Sequence, residues 1–227
     1  MSGKRIPTGI PELDALIEGG LREGKTYLVV GQPGTGKSVL SLQFLVRGLL
    51  EKEKCLYVAI DEKPADVIEQ ATSLGWDLAP FIESKEFLIL DASAYFGGRA
   101  GDPAKGIDVQ RVAADLNNYI VRMGAVRVVI DPVGPLLSAR NSEQARLLIY
   151  ALQANASTTH LLTTYAAEKP ARGVEEYLVA GTIVLEMERV DNHYQRMLTI
   201  EKMRGTALAP ARYEFNIVAD RGIVFKT

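Results

Sequence analysis

Residues 31 to 38 read GQPGTGKS, directly after the apolar run TYLVV and directly before VLSLQFLVRGLL. A lysine and a hydroxyl beside three glycines form an arrangement suited to a polyanion. Gly31, Gly34 and Gly36 let the backbone curl until successive N–H groups face one anion, at the positive end of the helix that follows. Lys37 then places a mobile cation on the outer phosphates, and the Ser38 hydroxyl can ligate Mg²⁺. A strand before the loop and a helix after it supply the context that makes G-x-x-x-x-G-K-[ST] a site for ATP or GTP. The plainer alternative is a glycine-rich turn with an incidental GKS.

Hydrolysis asks for acids as well. Asp131 closes the apolar run VRVVID, where a second Mg²⁺ partner is expected. Asp61 and Glu62 follow the run CLYVAI and could orient or deprotonate water. Ends of neighbouring parallel strands open on one edge of a sheet, where such sheets bind ligands. Against this, Asp131 could be a turn residue, and Asp61 and Glu62 could favour the start of the helix near Pro64.

Positioning these groups requires an alternating fold. The runs at 27–31, 55–61, 86–93, 126–131 and 160–165 are almost continuously apolar, as strands buried on both faces are. Helical patterns lie between them over 37–52, 64–75, 107–124 and 141–157. In 107–124, Val109, Val112, Leu116, Ile120 and Met123 line one face, and Gly124 ends the run. The tail differs: 181–190, a turn at 191–193 and 194–205 read as an antiparallel hairpin, with more strand over 211–220 and beyond. The fold class is therefore α/β, with a mostly parallel central sheet flanked by helices and an antiparallel C-terminal hairpin. The stretches 94–106 and 166–180 carry the least pattern and read as mobile loops.

The 227 residues, 47% hydrophobic and 24% charged, are enough for one domain over 1–227 with a full core. No apolar stretch approaches the roughly 18 residues of a membrane span, and the start lacks an apolar leader, so a soluble protein is expected. A single cysteine, Cys55, points to a reducing, cytoplasmic setting and reads as a small core residue. Neither His160 nor His193 has a companion at metal-ligand spacing. A net charge of −2 gives no reason to expect nucleic acid, and Glu168, Glu175 and Glu176 offset Lys169 and Arg172 in 166–180.

Lys202 and Arg204, two apart on a strand, share a face, whereas Met203 points the other way. Two like charges side by side ask for something anionic. Solvation with carboxylates such as Glu201 or Glu186 is the plainer account.

In this order, GQPGTGKS, AIDEKPADVIEQATSLGWDL, VRVVIDPVGPLL, LLTTYAAE, RGVEEYLV and EKMRGT resemble the KaiC family, the clock ATPases and their single-domain bacterial and archaeal relatives. The likeness covers nearly the whole chain. It implies a RecA-type fold and ATP held between protomers of a homo-oligomer, usually a hexameric ring; a further protein partner, which the sequence does not identify, stays open. It assigns Gly34, Thr35, Gly36 and Lys37 to the phosphates, with Val39 beside them, and Ser38 and Asp131 to Mg²⁺. The acidic pair matches two adjacent glutamates, the first being the water-activating base. Asp61 is one methylene shorter, so slow turnover is implied whether Asp61 or Glu62 acts. Thr163 and Thr164 match a pair near a γ-phosphate sensor, with strand packing as the alternative. Lys202 and Arg204 match residues that reach a neighbour's nucleotide, Arg204 as an arginine finger, and Asp220 a residue near the neighbour's base. Trp76 reads as packing behind the site. Two other outcomes stay open: an ATP-holding scaffold of the archaellum-associated type, and a DNA recombinase or helicase relative.

Overall fold

The computed structural model describes residues 3–93, 108–136, 142–165, 174–209 and 211–226. A short ribbon comes first: β1 (Arg5–Ile6) pairs antiparallel with β2 (Leu21–Arg22), and α1 (Pro11–Leu16) lies between them. The alternating part follows as β3 (Thr26–Gly31), α2 (Lys37–Leu50), β4 (Cys55–Ala59), α3 (Pro64–Ser73), α4 (Ala79–Glu83), β5 (Phe87–Asp91), α5 (Val109–Met123), β6 (Arg127–Asp131), α6 (Ser142–Gln153) and β7 (Thr159–Thr164). Then come α7 (Val174–Leu178), β8 (Gly181–Val190), β9 (His193–Met203), β10 (Arg212–Val218) and β11 (Gly222–Phe225).

Among the described residues nine strands form one sheet, in the order β11-β10-β9-β8-β3-β7-β6-β4-β5. From β8 through β5 every neighbour is parallel, and from β8 outward to β11 every neighbour is antiparallel. The mixed α/β sheet and its antiparallel C-terminal hairpin are those expected from the alternating runs and the tail.

Each face of the sheet carries its own core. Tyr27, Val29, Tyr57, Val129 and Leu161 face α2 and α3, where Leu40, Phe44, Leu45 and Val67 are buried. Leu28, Val58, Val128, Ile130 and Leu162 face α5 and α6, where Val112, Leu116, Ile120, Leu148 and Leu152 are buried. Strand alternation produces this division, since residues i and i+2 share a face. Gly124, with φ of 67°, ends α5 in the left-handed conformation that glycine tolerates.

One expectation changes. Part of the span read as a patternless loop is helical, because Val174–Leu178 forms α7; residues 166–173, and all of 94–106, lie outside the described residues. The N-terminal ribbon and α4 carried no reading from the sequence, being too short to leave a periodic trace. Among the described residues no helix is long and apolar enough to cross a membrane.

Candidate functional site

Parallel pairing brings the C-terminal ends of β3, β4, β6 and β7 to one edge of the sheet, and a cleft of about 300 Å³ opens there. Gly34, Gly36, Lys37, Ser38, Val39, Asp61, Glu62 and Asp131 all line it. These residues come from separate segments, and the topology alone makes them neighbours.

The loop has the conformation its glycines allow. Gly36 sits at φ 107° immediately before α2, where no side chain caps the helix, so the first-turn amides face the cleft's end of the helix. Gly31 closes β3 against Leu185 of β8; a Cβ there would lie 2.6 Å from the Leu185 carbonyl oxygen. Thr35 is fully buried and its hydroxyl donates to the Gln32 carbonyl at 2.8 Å. Lys37 Nζ donates to the carbonyls of Gly31 (2.9 Å) and Gln32 (3.0 Å) and lies 5.0 Å from the centre of the Tyr165 ring. Burial holds its pKa below the ordinary lysine value, with the nearby Asp131 charge opposing the shift.

Asp131 is buried and doubly held. Tyr57 donates its phenol to Oδ2 at 2.7 Å, and Thr163 donates its hydroxyl to Oδ1. Burial first, and then the Asp131 charge, push the Tyr57 phenol well above its ordinary value. Glu62 is raised above the usual carboxylate range, first by desolvation and then by Asp131, Asp66 and Asp61. Asp61 Oδ2 accepts a 3.3 Å hydrogen bond from the exposed Tyr165 phenol. The donors Ser38 and Asp131 are hard oxygens on one cleft wall, a set that fits Mg²⁺ sharing its remaining positions with water and phosphate. Among the described residues there is no cluster of three or more acidic, histidine or cysteine side chains for an all-protein metal cage.

The other singled-out residues lie elsewhere. Lys202 pairs with Thr182, which is level with Leu28, so along the strand direction Lys202 lies roughly 10 Å from Gly31, and Arg204, two residues beyond it, roughly 15 Å. They share a side, as the alternation requires, while Met203 is buried in the opposite core. Their partners include the carbonyls around the end of α7: Lys202 donates to Glu176 (2.8 Å), Tyr177 (3.1 Å) and Val179 (2.7 Å), and Arg204 to Tyr177 (2.8 Å). Burial, then Arg204, lower the Lys202 pKa. Glu186, one carboxylate considered for them, is instead engaged by Arg212.

Asp220 forms the β10–β11 turn at φ 62°, beside Gly75, and its N–H donates to the Leu74 carbonyl at 2.8 Å. It does not line the cleft, although Ile217 on the same strand pair does. Trp76 packs against the α2-side core, and the fully buried Cys55 has its thiol pushed up to about 12 by desolvation.

Sequence reasoning missed Tyr57, Tyr165, Gln70, Pro132 and Ile217, the last four of which line the cleft. It also missed Arg196, whose Nε reaches the Gly34 carbonyl at 3.4 Å. A tyrosine two residues before the end of an apolar strand was the one available signal for Tyr57.

A family model described as KaiC ATPase matches residues 6–227. The chain belongs to the KaiC ATPase family. A UPF0273 protein of Thermotoga maritima is 34% identical, covering 97% of this chain and 95% of that protein. The circadian clock oscillator protein KaiC of Synechococcus elongatus is also 34% identical, over 96% of this chain but 43% of that protein. Among solved structures, a KaiC-like protein from the archaeon Pyrococcus horikoshii matches with a TM-score of 0.84 at 30% identity, covering 99% of this chain and all of that one. Membership supports nucleotide binding and the RecA-type fold for this chain.

Proposed function

We propose that this chain, as one domain over residues 1–227, binds ATP with Mg²⁺ and hydrolyses it slowly at the interfaces of a homo-oligomeric, hexameric ring, and signals by conformation in the cytoplasm. The observation that carries the reading is the convergence of Lys37, Ser38, Asp131, Asp61 and Glu62 on one cleft at the head of α2. First-turn amides and Lys37 would grip the phosphates; the ammonium, already near two carbonyls, needs only side-chain rotation to reach them. Ser38 and Asp131 would hold Mg²⁺, which when bound neutralises charge on the outer phosphates.

Asp61 or Glu62 would orient the attacking water. Glu62 holds its proton more tightly than an ordinary glutamate, as suits a group that must accept one. Lys202 and Arg204 lie too far from their own phosphate loop to serve it. This distance supports their acting on a neighbour's nucleotide, with Asp220 near its base, as in the family.

One observation favours a second reading, in which the chain holds ATP and barely hydrolyses it. The short acid Asp61 already accepts from Tyr165, and an aspartate reaches less far than the family's glutamate. Steady-state phosphate release, with and without single-stranded DNA, tests both. Slow, DNA-independent release supports the ATPase; tight ATP binding without release supports the scaffold. Release that requires DNA would overturn both and favour a recombinase relative.

A further inference from the structure

We propose that Tyr57 is a positioning residue of the nucleotide site: its phenol, with Thr163, holds the Asp131 carboxylate in line with Ser38 and thereby sets the affinity for the divalent ion. The inference rests on the Mg²⁺–nucleotide reading above.

Register places the three side chains together. Asp131 lies on β6 between β4 and β7, and Tyr57 is level with Val129, one step below Asp131 on the same face. Thr163 follows Leu161 by two residues, and Leu161 is level with Val129, so the threonine lies beside Asp131. Hydroxyls from both flanking strands therefore meet one carboxylate, one on each oxygen. An ionised carboxylate offers about four lone-pair sites. Two are occupied from the sheet, which fixes the carboxylate plane and leaves the others for the cleft.

The Tyr57 ring would pack as well without its hydroxyl. It lies in a buried strand, surrounded by the apolar core against α2. The hydroxyl, though, is spent on Asp131, and the Ser38 side chain at the start of α2 lies close to the same phenol. One buried group thus holds one candidate ligand and lies near the other. Groups that orient a metal's direct ligands commonly change metal affinity by about 10- to 100-fold when removed. Tyr57→Phe deletes this contact while keeping the ring, and leaves Asp131 Oδ2 without that donor.

The test uses the full chain with Mn²⁺ as the probe ion and a non-hydrolysable ATP analogue. Affinity for the analogue in EDTA is measured first by calorimetry, and Mn²⁺ affinity at saturating analogue is then read by electron paramagnetic resonance. For Tyr57→Phe, metal-free nucleotide affinity should stay within about twofold while Mn²⁺ binding weakens roughly tenfold or more. Thr163→Val should give a loss of the same kind. Unchanged Mn²⁺ affinity in a folded Tyr57→Phe protein overturns the inference. So does an equal loss in EDTA and with Mn²⁺, which marks a general packing defect. If the unsubstituted chain binds neither analogue nor Mn²⁺–analogue, the nucleotide reading itself fails and takes this inference with it.

Discussion

The two edges of the parallel sheet use cations in opposite ways. At the C-terminal edge, Lys37 stands over an open cleft beside first-turn amides and acids, with its carbonyl contacts confined to its own loop. At the N-terminal edge, Arg127 is wholly buried, and each of its three nitrogens donates within the chain. It donates to Glu53 and Glu51, to the carbonyls of Pro7 (2.6 Å) and Phe44 (2.9 Å), and lies 4.8 Å from the Phe44 ring centre. Lys202 and Arg204, at this same edge, cover the carbonyl end of α7. In a parallel α/β sheet one edge collects helix starts, whose N–H groups favour anions, and the other collects helix ends, whose carbonyls favour cations. A buried cation is therefore not a ligand site by virtue of its charge. What separates the two cations is that Lys37 borders an open cleft, whereas Arg127 is enclosed by partners within the chain.

Arg204 gives the largest test of that contrast, because it belongs to the carbonyl edge yet is proposed to act on a neighbour. Arg204→Ala should cut turnover by roughly a thousandfold while ATP binding changes little. Mixing it with Asp131→Asn protein and allowing subunit exchange should restore activity above either variant alone. If exchange is confirmed by mass and activity stays flat, Arg204 serves only to hold α7. Arg127→Met should show the converse: a loss of about 3 kcal/mol in denaturant unfolding, with ATP affinity unchanged.

At the cleft, Lys37→Ala should weaken ATP binding at least about tenfold, near 1.4 kcal/mol, by calorimetry. Equal affinity would remove the phosphate-loop assignment. The smallest effect near neutrality comes from His160, fully buried on β7 facing the α5 and α6 side. Desolvation lowers its pKa from 6.5 to about 3. The unfolded chain takes up this proton below pH 6.5 and the folded chain only near 3, so the contribution is lost as pH falls through that window. The cost is under about 1 kcal/mol at pH 6 and grows by about 1.4 kcal/mol per further unit. His160→Leu should flatten the dependence in urea midpoints taken between pH 7 and 4. An unchanged slope would assign it to other groups.

The sequence alone determined the glycine-rich loop between strand and helix, the candidate strand-end acids and the α/β class, because each depends on neighbours along the chain. Gly36 before Lys37 can be read locally, as can Asp131 after three apolar residues and the alternation of 2- and 3.6-residue periods. Tertiary structure alone decided that β4 and β7 flank β6, which brings Tyr57 and Thr163 onto Asp131 from positions 74 and 32 residues away. It also turned Arg127 from one polar residue at a strand start into a buried hub, and set Lys202 and Arg204 on α7 rather than on the cleft. The physical reason is that local pattern specifies which face of an element is apolar, whereas strand order follows from how those faces are buried together. A residue whose partner lies across that order carries no local trace of it.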